Sequence, residues 1–534
     1  MVTPDIAARL YNRACSAPSR LGKLFVIAAT LVMAACSSLP TNVQRAPSHT
    51  LPDTASTQLG RDIQPLVEAH PGLSGFHVLN DGVDAFATRL RIIRAAEKSI
   101  DAQYYIWHTD LTGNAMYNQL LHAADRGVRV RILLDDLDTA GKDDFLQLVD
   151  AHPNVEVRLY NPFANRGFRA GDFIGDTRRI NHRMHTKTLT VDNQVTIFGG
   201  RNIGDEYFAA AKEVGFSDMD ALAIGPIVSE VSTEFDEFWN SEWVYPVNAF
   251  PRDEPITEED VKKFRQLSDE HMNEAKNSEY ADVISELDSL AQTSFSELDM
   301  SWSEWLLAYD PPSNVEAEEI TAELNLAPKL REGMDRTETE LDIVSPYFVP
   351  GEEFTRFLTD KAKQGVRVRI LTNSLESNDV AMVHAGYMRY REDLIAGGVE
   401  LYEFKAVRSK ELDEKIDTNK IDAERSSLHA KFFGFDRRFL FIGSFNLDAR
   451  SKVLNTELGA YFESPDNARR LAEIFDQQIM YVAYRVQLDD EGELEWVTLD
   501  DNGQERRVDH EPDTTFWKRF KTHTLSHIVP ESQL

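Results

Sequence analysis

Apolar and polar residues alternate through Val128-Arg129-Val130-Arg131-Ile132, and again through Val366-Arg367-Val368-Arg369-Ile370. A period of two, entered from a glycine (Gly127, Gly365), reads as a strand. A helical pattern precedes each one, at residues 112–125 and 351–363. Before each helix lies another strand, around Ser99–Trp107 and Leu341–Val349. After each alternating run come a second helix and a short strand, near Val155–Tyr160 and Val399–Phe404. Strands alternating with helices predict α/β sandwiches with partly parallel sheets. The same succession occurring twice predicts two homologous halves, 61–249 and 337–485. Between them, residues 250–336 form an acidic insert. Its stretch Ile256–Leu290 is helical in pattern and dense in Glu and Asp, and Pro311-Pro312 breaks it. Such a charge run reads as a solvated helix face. The tail, 486–534, alternates at Val486-Gln487-Leu488 and Leu494–Val497 and turns at Asp500–Gly503, which predicts a small β appendage. Near its end Trp517 stands with Lys518, Arg519 and Lys521. This group reads as ordinary packing and solvation, with contact to a membrane surface as the alternative.

The N-terminal pattern differs in kind. Arg9, Arg13, Arg20 and Lys23 precede an apolar run from Leu24 to Ala35, and Cys36 follows. Twelve residues are too few for a comfortable membrane span and suit the core of a signal peptide. Leu31-Val32-Met33-Ala34-Ala35-Cys36 resembles a bacterial lipoprotein signal, so residues 1–36 are expected to be a signal with lipidation at Cys36. Ser37 resembles the outer-membrane sorting choice, which places the chain in a bacterial envelope, on the periplasmic side. Residues 37–60, rich in Ser, Thr and Pro, are expected to be a flexible tether. The chain has two cysteines, Cys15 and Cys36, so a mature chain beginning at Cys36 has no internal disulfide.

Composition narrows the function classes. A chain of 534 residues exceeds one ordinary core. A formal charge of −32 is the opposite of the basic footprint of nucleic-acid binders, so no nucleic-acid partner is expected.

Candidate chemistry sits in a doubled motif. His185-x-Lys187-x4-Asp192 recurs as His429-x-Lys431-x4-Asp436, each followed at one distance by an asparagine, Asn202 or Asn446. Over the two 18-residue windows the His, Lys, Asp, Gly and Asn positions are identical, whereas the apolar positions have drifted. Packing alone would do the reverse. On a strand His185 and Lys187 share a face, as do His429 and Lys431, with Leu189 and Val191 continuing that face. Asp192 and Asp436 fall opposite, at turns, and are expected to fix the turn or to hold a partner strand's backbone. Gly199 and Gly443 allow close backbone approach and return the asparagines toward the site.

These residue types suit a phosphodiester. Two lysines and two asparagines hold the non-bridging oxygens and favour charge that builds in the transition state. One neutral imidazole attacks phosphorus and forms a phosphohistidine, while the other protonates the leaving oxygen. Histidine titrates near neutrality, which fits both roles. The lysines supply the positive charge, so neither metal nor cofactor is expected. No Asp/Glu/His cluster shows metal-ligand spacing in the sequence. Each histidine should be oriented by an acid: Asp220 for His185, and Glu457 for His429. Arg166, Arg169, Arg178, Arg179 and Arg183 precede the first motif; they mark the mouth of the site or are solvated loop residues.

The doubled motif, with Gly199-Gly200-Arg201-Asn202 and Gly443-Ser444-Phe445-Asn446, resembles the phospholipase D superfamily over roughly residues 80–480. The longer runs Asn181–Lys187, Gly199–Phe208 and Gly443–Ser451 resemble bacterial cardiolipin synthases of the C type. The resemblance implies two α/β halves meeting at one active site, and metal-independent transfer through a phosphohistidine. It assigns His185, Lys187, Asn202, His429, Lys431 and Asn446 to the site. It further implies phospholipid substrates, phosphatidylglycerol with phosphatidylethanolamine as a possible donor, and a membrane surface as partner. Both motifs lie in one chain, so a monomer suffices. The other readings are a phospholipase D hydrolase, a nuclease of the superfamily and a non-enzymatic envelope lipoprotein.

Overall fold

The computed structural model describes residues 38–252, 254–275, 295–315, 325–407 and 425–528. The signal segment and Cys36 lie outside the described residues. The first half contributes strands β1 (Ser74–Leu79), β2 (Ser99–Tyr104), β3 (Arg129–Asp135), β4 (Val155–Tyr160), β5 (Arg183–Met184), β6 (Thr188–Val191), β7 (Val195–Gly199), β8 (Val214–Ser217), β9 (Asp220–Ile224) and β10 (Val244–Pro246). The linking region gives β11 (Ser301–Ser303) and β12 (Trp305–Tyr309). The second half gives β13 (Glu340–Val344), β14 (Arg367–Asn373), β15 (Glu400–Phe404), β16 (Arg425–Leu428), β17 (Phe432–Phe435), β18 (Phe439–Gly443), β19 (Asn455–Thr456), β20 (Leu458–Glu463), β21 (Ala483–Leu488), β22 (Leu494–Leu499) and β23 (Glu505–Val508).

Two large sheets result. The first has nine strands in the order β10-β4-β3-β2-β6-β7-β9-β1-β11, and the second ten in the order β12-β20-β18-β17-β13-β14-β15-β21-β22-β23. In each, three strands run parallel, β2-β3-β4 and β13-β14-β15, and the other pairs are antiparallel. The crossovers between the parallel strands are helical. The helices Leu111–Asp125 and Gly351–Lys363 fill the equivalent place in the two halves. A repeated buried ion pair pins that strand arrangement. Arg131 on β3 reaches Asp101 on β2 at 2.7 Å and Asp236 at 2.8 Å. Arg369 on β14 likewise reaches Asp342 on β13 at 2.6 Å and Asp476 at 2.7 Å. Removing one partner from such a pair would strand a buried charge, at a cost of about 3–5 kcal/mol.

The sheets face each other. Phe76, Phe198, Ala221 and Ala223 of the first pack in one cluster with Leu440, Ile442, Ala460 and Phe462 of the second. Phe76 stacks on Phe462 with ring centroids 4.1 Å apart. The outer faces carry separate apolar clusters under their own helices, around Leu90, Ile132 and Leu189 in one half and around Leu341, Ile370 and Phe433 in the other. Glu304 alone separates β11, in the first sheet, from β12, in the second.

Three expectations about organisation change. The expected tether 37–60 is docked from Arg45 onward: Arg45 Nε donates to the Val244 carbonyl at 2.6 Å, and the carbonyls of Ala46 and Ser48 accept from Arg158 and Arg131. Buried arginines with spare N–H groups need acceptors, and this strap supplies them. The insert 250–336 is more than an acidic helix. Glu258–Ala275 is helical and packs against Leu111–Asp125 through Asn118 and Asp269, but β11 and β12 are strands of the main sheets. The tail strands β21 to β23 prolong the second sheet, with β21 paired to β15, so position 485 falls inside a strand.

Candidate active site

The motif residues lie just outside the strands. His185 to Lys187 sit between β5 and β6, and His429 to Lys431 between β16 and β17, so the single alternating strand read from the sequence starts one residue after each lysine. The reason is a pair of short inter-half ribbons. β5 pairs in parallel with β19, and the His185 N–H donates to the Thr456 carbonyl at 2.8 Å. β16 pairs in parallel with β8, and the His429 N–H donates to the Ser217 carbonyl at 2.8 Å. Each histidine is therefore laid along a strand of the opposite half. The residue that follows that strand is an acid, Glu457 after β19 and Asp218 after β8.

That arrangement crosses the carboxylates over. His185 Nδ1 meets Glu457 Oε2 at 2.8 Å, and His429 Nδ1 meets Asp218 Oδ2 at 2.6 Å. The expected pairing of Glu457 with His429 is corrected: Glu457 serves the histidine of the other half. Asp220 serves neither. It is fully buried against Arg89, at 2.8 Å, and Arg201, at 3.3 Å, and holds the Arg201 N–H. The signal that distinguishes Asp218 from Asp220 is register. Gly199 faces Asp220 on β9 and Gly443 faces Gly459 on β20, so the equivalent of Glu457 lies two residues before Asp220. Both pairings are legible only once the halves are docked.

The two acids have different neighbours. A Cβ on Gly200 would lie 2.1 Å from Asp218 Oδ1, so only glycine leaves room for the short acid there. The matching position in the second half is Ser444, whose hydroxyl donates to Glu457 Oε2. The Glu457 N–H donates to Asp310 Oδ2 at 2.9 Å, from the segment just after β12.

Electrostatics differ accordingly. Burial pushes the Glu457 carboxyl up to about 7, although Lys187 and Ser444 oppose the rise. Asp218 is also buried, but His429, Lys431 and Arg201 hold it well below the usual carboxylate range. His185 is driven well below its ordinary value by burial and then by the charges of Lys187 and Lys431, so it is a neutral imidazole at neutral pH. Burial and Lys431 also lower His429, whereas Asp218 favours its charged form. Burial brings Lys431 down to about 8, and lowers Lys187 well below its ordinary value.

The remaining residues complete a buried, charged cluster. Lys187 bonds the His185 carbonyl and lies over the Tyr105 ring at 5.2 Å. Lys431 Nζ lies 2.8 and 3.0 Å from the two ring nitrogens of His429. Asn202 accepts from the Ile106 N–H at 3.1 Å and donates to the Tyr207 hydroxyl at 2.9 Å, whereas Asn446 Oδ1 is buried with no hydrogen-bond partner among the described residues. Tyr105 packs edge-on to His185 and Tyr207 edge-on to His429, while Phe216 stacks on His429. Tyr207 belongs to the Gly199–Phe208 run, whereas Tyr105 and Phe216 escape a motif search because they sit on other segments.

The motif aspartates face away from the histidines. Asp192 accepts from the Glu97, Lys98 and Ser99 N–H groups at 3.0, 2.7 and 2.8 Å. Asp436 accepts from Thr339 and Glu340 at 2.7 and 3.0 Å. Each thus ties its hairpin to the start of the neighbouring strand, and each lies in a left-handed turn, with φ of 50° at Asp192 and 52° at Asp436. Of the arginines before the first motif, Arg166 binds Asp136 and Asp143, Arg169 binds Asp136, Arg179 binds Asp176 and Arg183 binds Asp135, while Arg178 is exposed. The fold also assembles two acid–histidine groups that linear spacing conceals. His108, Asp110 and Glu206 meet beside a helix cap, and His384, Glu403 and Glu511 surround Arg391.

The family model described as cardiolipin synthase, phospholipase D-like domain, matches this chain twice, at residues 90–239 and 330–479. The chain is 41% identical over 475 residues to cardiolipin synthase C of Escherichia coli, covering 89% of this chain and 98% of that protein. It is 30% identical over 492 residues to an uncharacterized protein of Helicobacter pylori, covering 90% and 94%. Among solved structures, phosphatidylserine synthase of Haemophilus influenzae aligns over 90% of this chain and all of that one, with a TM-score of 0.54 and 14% identity, which is a likeness of fold. Two matched domains and a relative aligned almost end to end place this chain in the phospholipase D-like cardiolipin synthase family.

Proposed function

We propose that this chain is a phosphatidyltransferase that makes cardiolipin-type lipid from phosphatidylglycerol. The observation that carries the reading is the convergence of two His–Lys sets, each histidine held at Nδ1 by an acid of the opposite half. His185, kept neutral, attacks the phosphorus of the donor lipid through Nε2, forming the N–P bond as the P–O bond to the leaving alcohol breaks. His429, whose charged form Asp218 favours, gives that oxygen its proton. It then takes a proton from the incoming glycerol hydroxyl of an acceptor lipid, whose oxygen displaces His185. Lys187, Lys431 and Asn446 stabilise the non-bridging oxygens while charge builds. Asn202, already bonded to Tyr207, is assigned to holding that wall in place. Phosphatidylethanolamine is the second candidate donor. Hydrolysis, with water as the acceptor, uses the same residues and is the second reading.

The family also supports a membrane-associated bacterial protein. No helix among the described residues is long and apolar enough to cross a membrane. We assign attachment to a lipid on Cys36 at the periplasmic side, with the outer membrane as destination. Intact mass of wild type and Cys36→Ser tests this: a diacylglyceryl increment must appear in the first and vanish in the second.

The experiment for the activity is a lipid assay in chelator. Purified protein is incubated with phosphatidylglycerol, with and without phosphatidylethanolamine, and the products are separated. Cardiolipin supports transfer, phosphatidic acid alone supports hydrolysis, and unchanged lipid overturns both. Trapping of a phosphorylated protein in His429→Ala but not in His185→Ala tests the assignment of the nucleophile.

A further inference from the structure

The C-terminal helix, Phe516–Ser526, is turned inside out. The side chains it buries are Thr522 and Ser526, small and polar, whereas Phe516, Trp517 and Phe520 are 63%, 73% and 57% exposed. A helix on a soluble surface presents the reverse order. The three aromatic rings form one patch, with Phe516 and Trp517 centroids 5.6 Å apart and Trp517 and Phe520 6.1 Å apart. The helix is firmly seated: Thr515 caps its first turn, and Arg389 Nε donates to the Ser526 carbonyl at 2.6 Å. Its outward face is therefore a property of the folded chain.

The helix is tied to the active-site side of the second half. Lys518 Nζ binds Glu376 Oε2 at 2.8 Å, and Glu376 also binds Arg425, the first residue of β16, whose far end delivers His429. Other exposed apolar side chains stand on segments that enter the site. Val214 begins β8, which leads to Asp218; Val453 lies between Asn446 and Glu457; Met382 lies on the helix Ala381–Tyr387, packed against the C-terminal helix.

We propose that this helix is an interfacial anchor that inserts Phe516, Trp517 and Phe520 into a phospholipid bilayer and so seats the active-site mouth on the lipid surface. Trp and Phe suit the headgroup boundary, where a ring can be buried beside water. A chain of formal charge −32 is repelled by an anionic bilayer, so its hold must be apolar. Lys521 is exposed one helical turn after Trp517, where a cation suits a lipid phosphate. The proposal rests on the phospholipid reading for its purpose, but the insertion itself is a separate physical claim.

The test reads residue 517 directly in the full chain, so that another anchor cannot mimic the result. Vesicles of phosphatidylcholine and phosphatidylglycerol with brominated acyl chains should quench part of the tryptophan emission of wild type. That part should disappear in Trp517→Phe, which keeps the patch apolar and should keep vesicle activity. The triple variant F516S/W517S/F520S should lose activity on vesicles by on the order of tenfold or more. It should retain wild-type turnover of a short-chain phosphatidylglycerol dispersed as monomers, which shows that the site is intact. Raising the salt should leave the quenching in place. Equal quenching in wild type and Trp517→Phe overturns the proposal. So does a triple variant with full vesicle activity, or a patch found by native mass to be covered by a second copy that wild type forms and the variant lacks. If no lipid is turned over while Trp517 is quenched, the function reading fails and the anchor stands.

Discussion

The two histidine–carboxylate pairs occupy equivalent places in the two halves, yet they are not equivalent. Asp218 is short, sits against a glycine, and is kept ionised by His429, Lys431 and Arg201. Glu457 is longer, takes a serine hydroxyl, and is pushed up to about 7 by burial. Burial and the lysines lower both imidazoles, His185 the further, and Asp218 opposes the lowering of His429. The transfer proposed above needs one neutral and one protonated imidazole, and the difference in the acids is where that proposal looks for the division of roles.

The sharpest way to break the comparison is to neutralise each acid in turn. Asp218→Asn should lower the transfer rate by about 10³–10⁴-fold, in line with removing the acid behind a catalytic imidazole. Glu457→Gln should cost about 10-fold to 100-fold, because Glu457 is partly protonated at neutral pH already. Equal losses would show that the pairs do the same job. Their effects on stability should have opposite signs. Asp218 has a depressed value, so its contribution is present above the ordinary carboxylate range and lost as pH falls through it; Asp218→Asn should destabilise at pH 7. Glu457 has a raised value, so the folded chain holds an extra proton between about 4.5 and 7, and stability falls as pH rises through that window. Glu457→Gln should remove that decline, worth on the order of 1–3 kcal/mol, as read by denaturant melts at pH 5 and 8.

The neighbours offer a second, smaller test. Gly200→Ser forces a Cβ into Asp218 and should cut activity by roughly 100-fold, while Ser444→Gly removes one hydrogen bond and should cost about 1 kcal/mol of stability. If Gly200→Ser were silent, close approach would not be what that glycine provides. The pH profile comes next. The rate should fall below about 7 as Glu457 takes up its proton, and above about 8 as Lys431 loses its own. Glu457→Gln should abolish the acid limb alone. The smallest contrast lies away from the chemistry. Asp192 is fully buried and Asp436 is half-buried, so Asp192→Ala should lower stability by about 2–3 kcal/mol and Asp436→Ala by about 1.

Much of this was legible in the chain. The alternation at Val128–Ile132 and Val366–Ile370 marks true strands, β3 and β14, and the helices before them lie within a residue of the pattern. Positions that stay fixed while apolar neighbours drift single out the histidines and lysines as candidates, and the fold brings these residues together. What escaped was everything set by docking. Asp220 reads as well as Asp218 until β9 is paired with β7, and nothing local says that Glu457 reaches across to His185. Residues 45–57 read as a linker because their composition is loop-like; the arginines that need their carbonyls are about a hundred positions away. Trp517, with Lys518, Arg519 and Lys521, reads as ordinary packing and solvation because a helix wheel cannot say which face the fold leaves outside.

With a single residue between β11 and β12, the first half carries on its own C-terminal end a strand that belongs to the second sheet, followed at once by Asp310, which braces Glu457. Suppose a protease cut the chain after that strand, within 316–324. The pieces would remain interlocked by the β12–β20 pairing, and the effective concentration of one for the other would stay far above any concentration in solution. A nicked protein should therefore migrate as two fragments in denaturant yet elute and turn over as one molecule. A cut before β11 would exchange the clasp rather than remove it, because β11, now on the second piece, pairs with β1 of the first, so those pieces should also stay together on dilution.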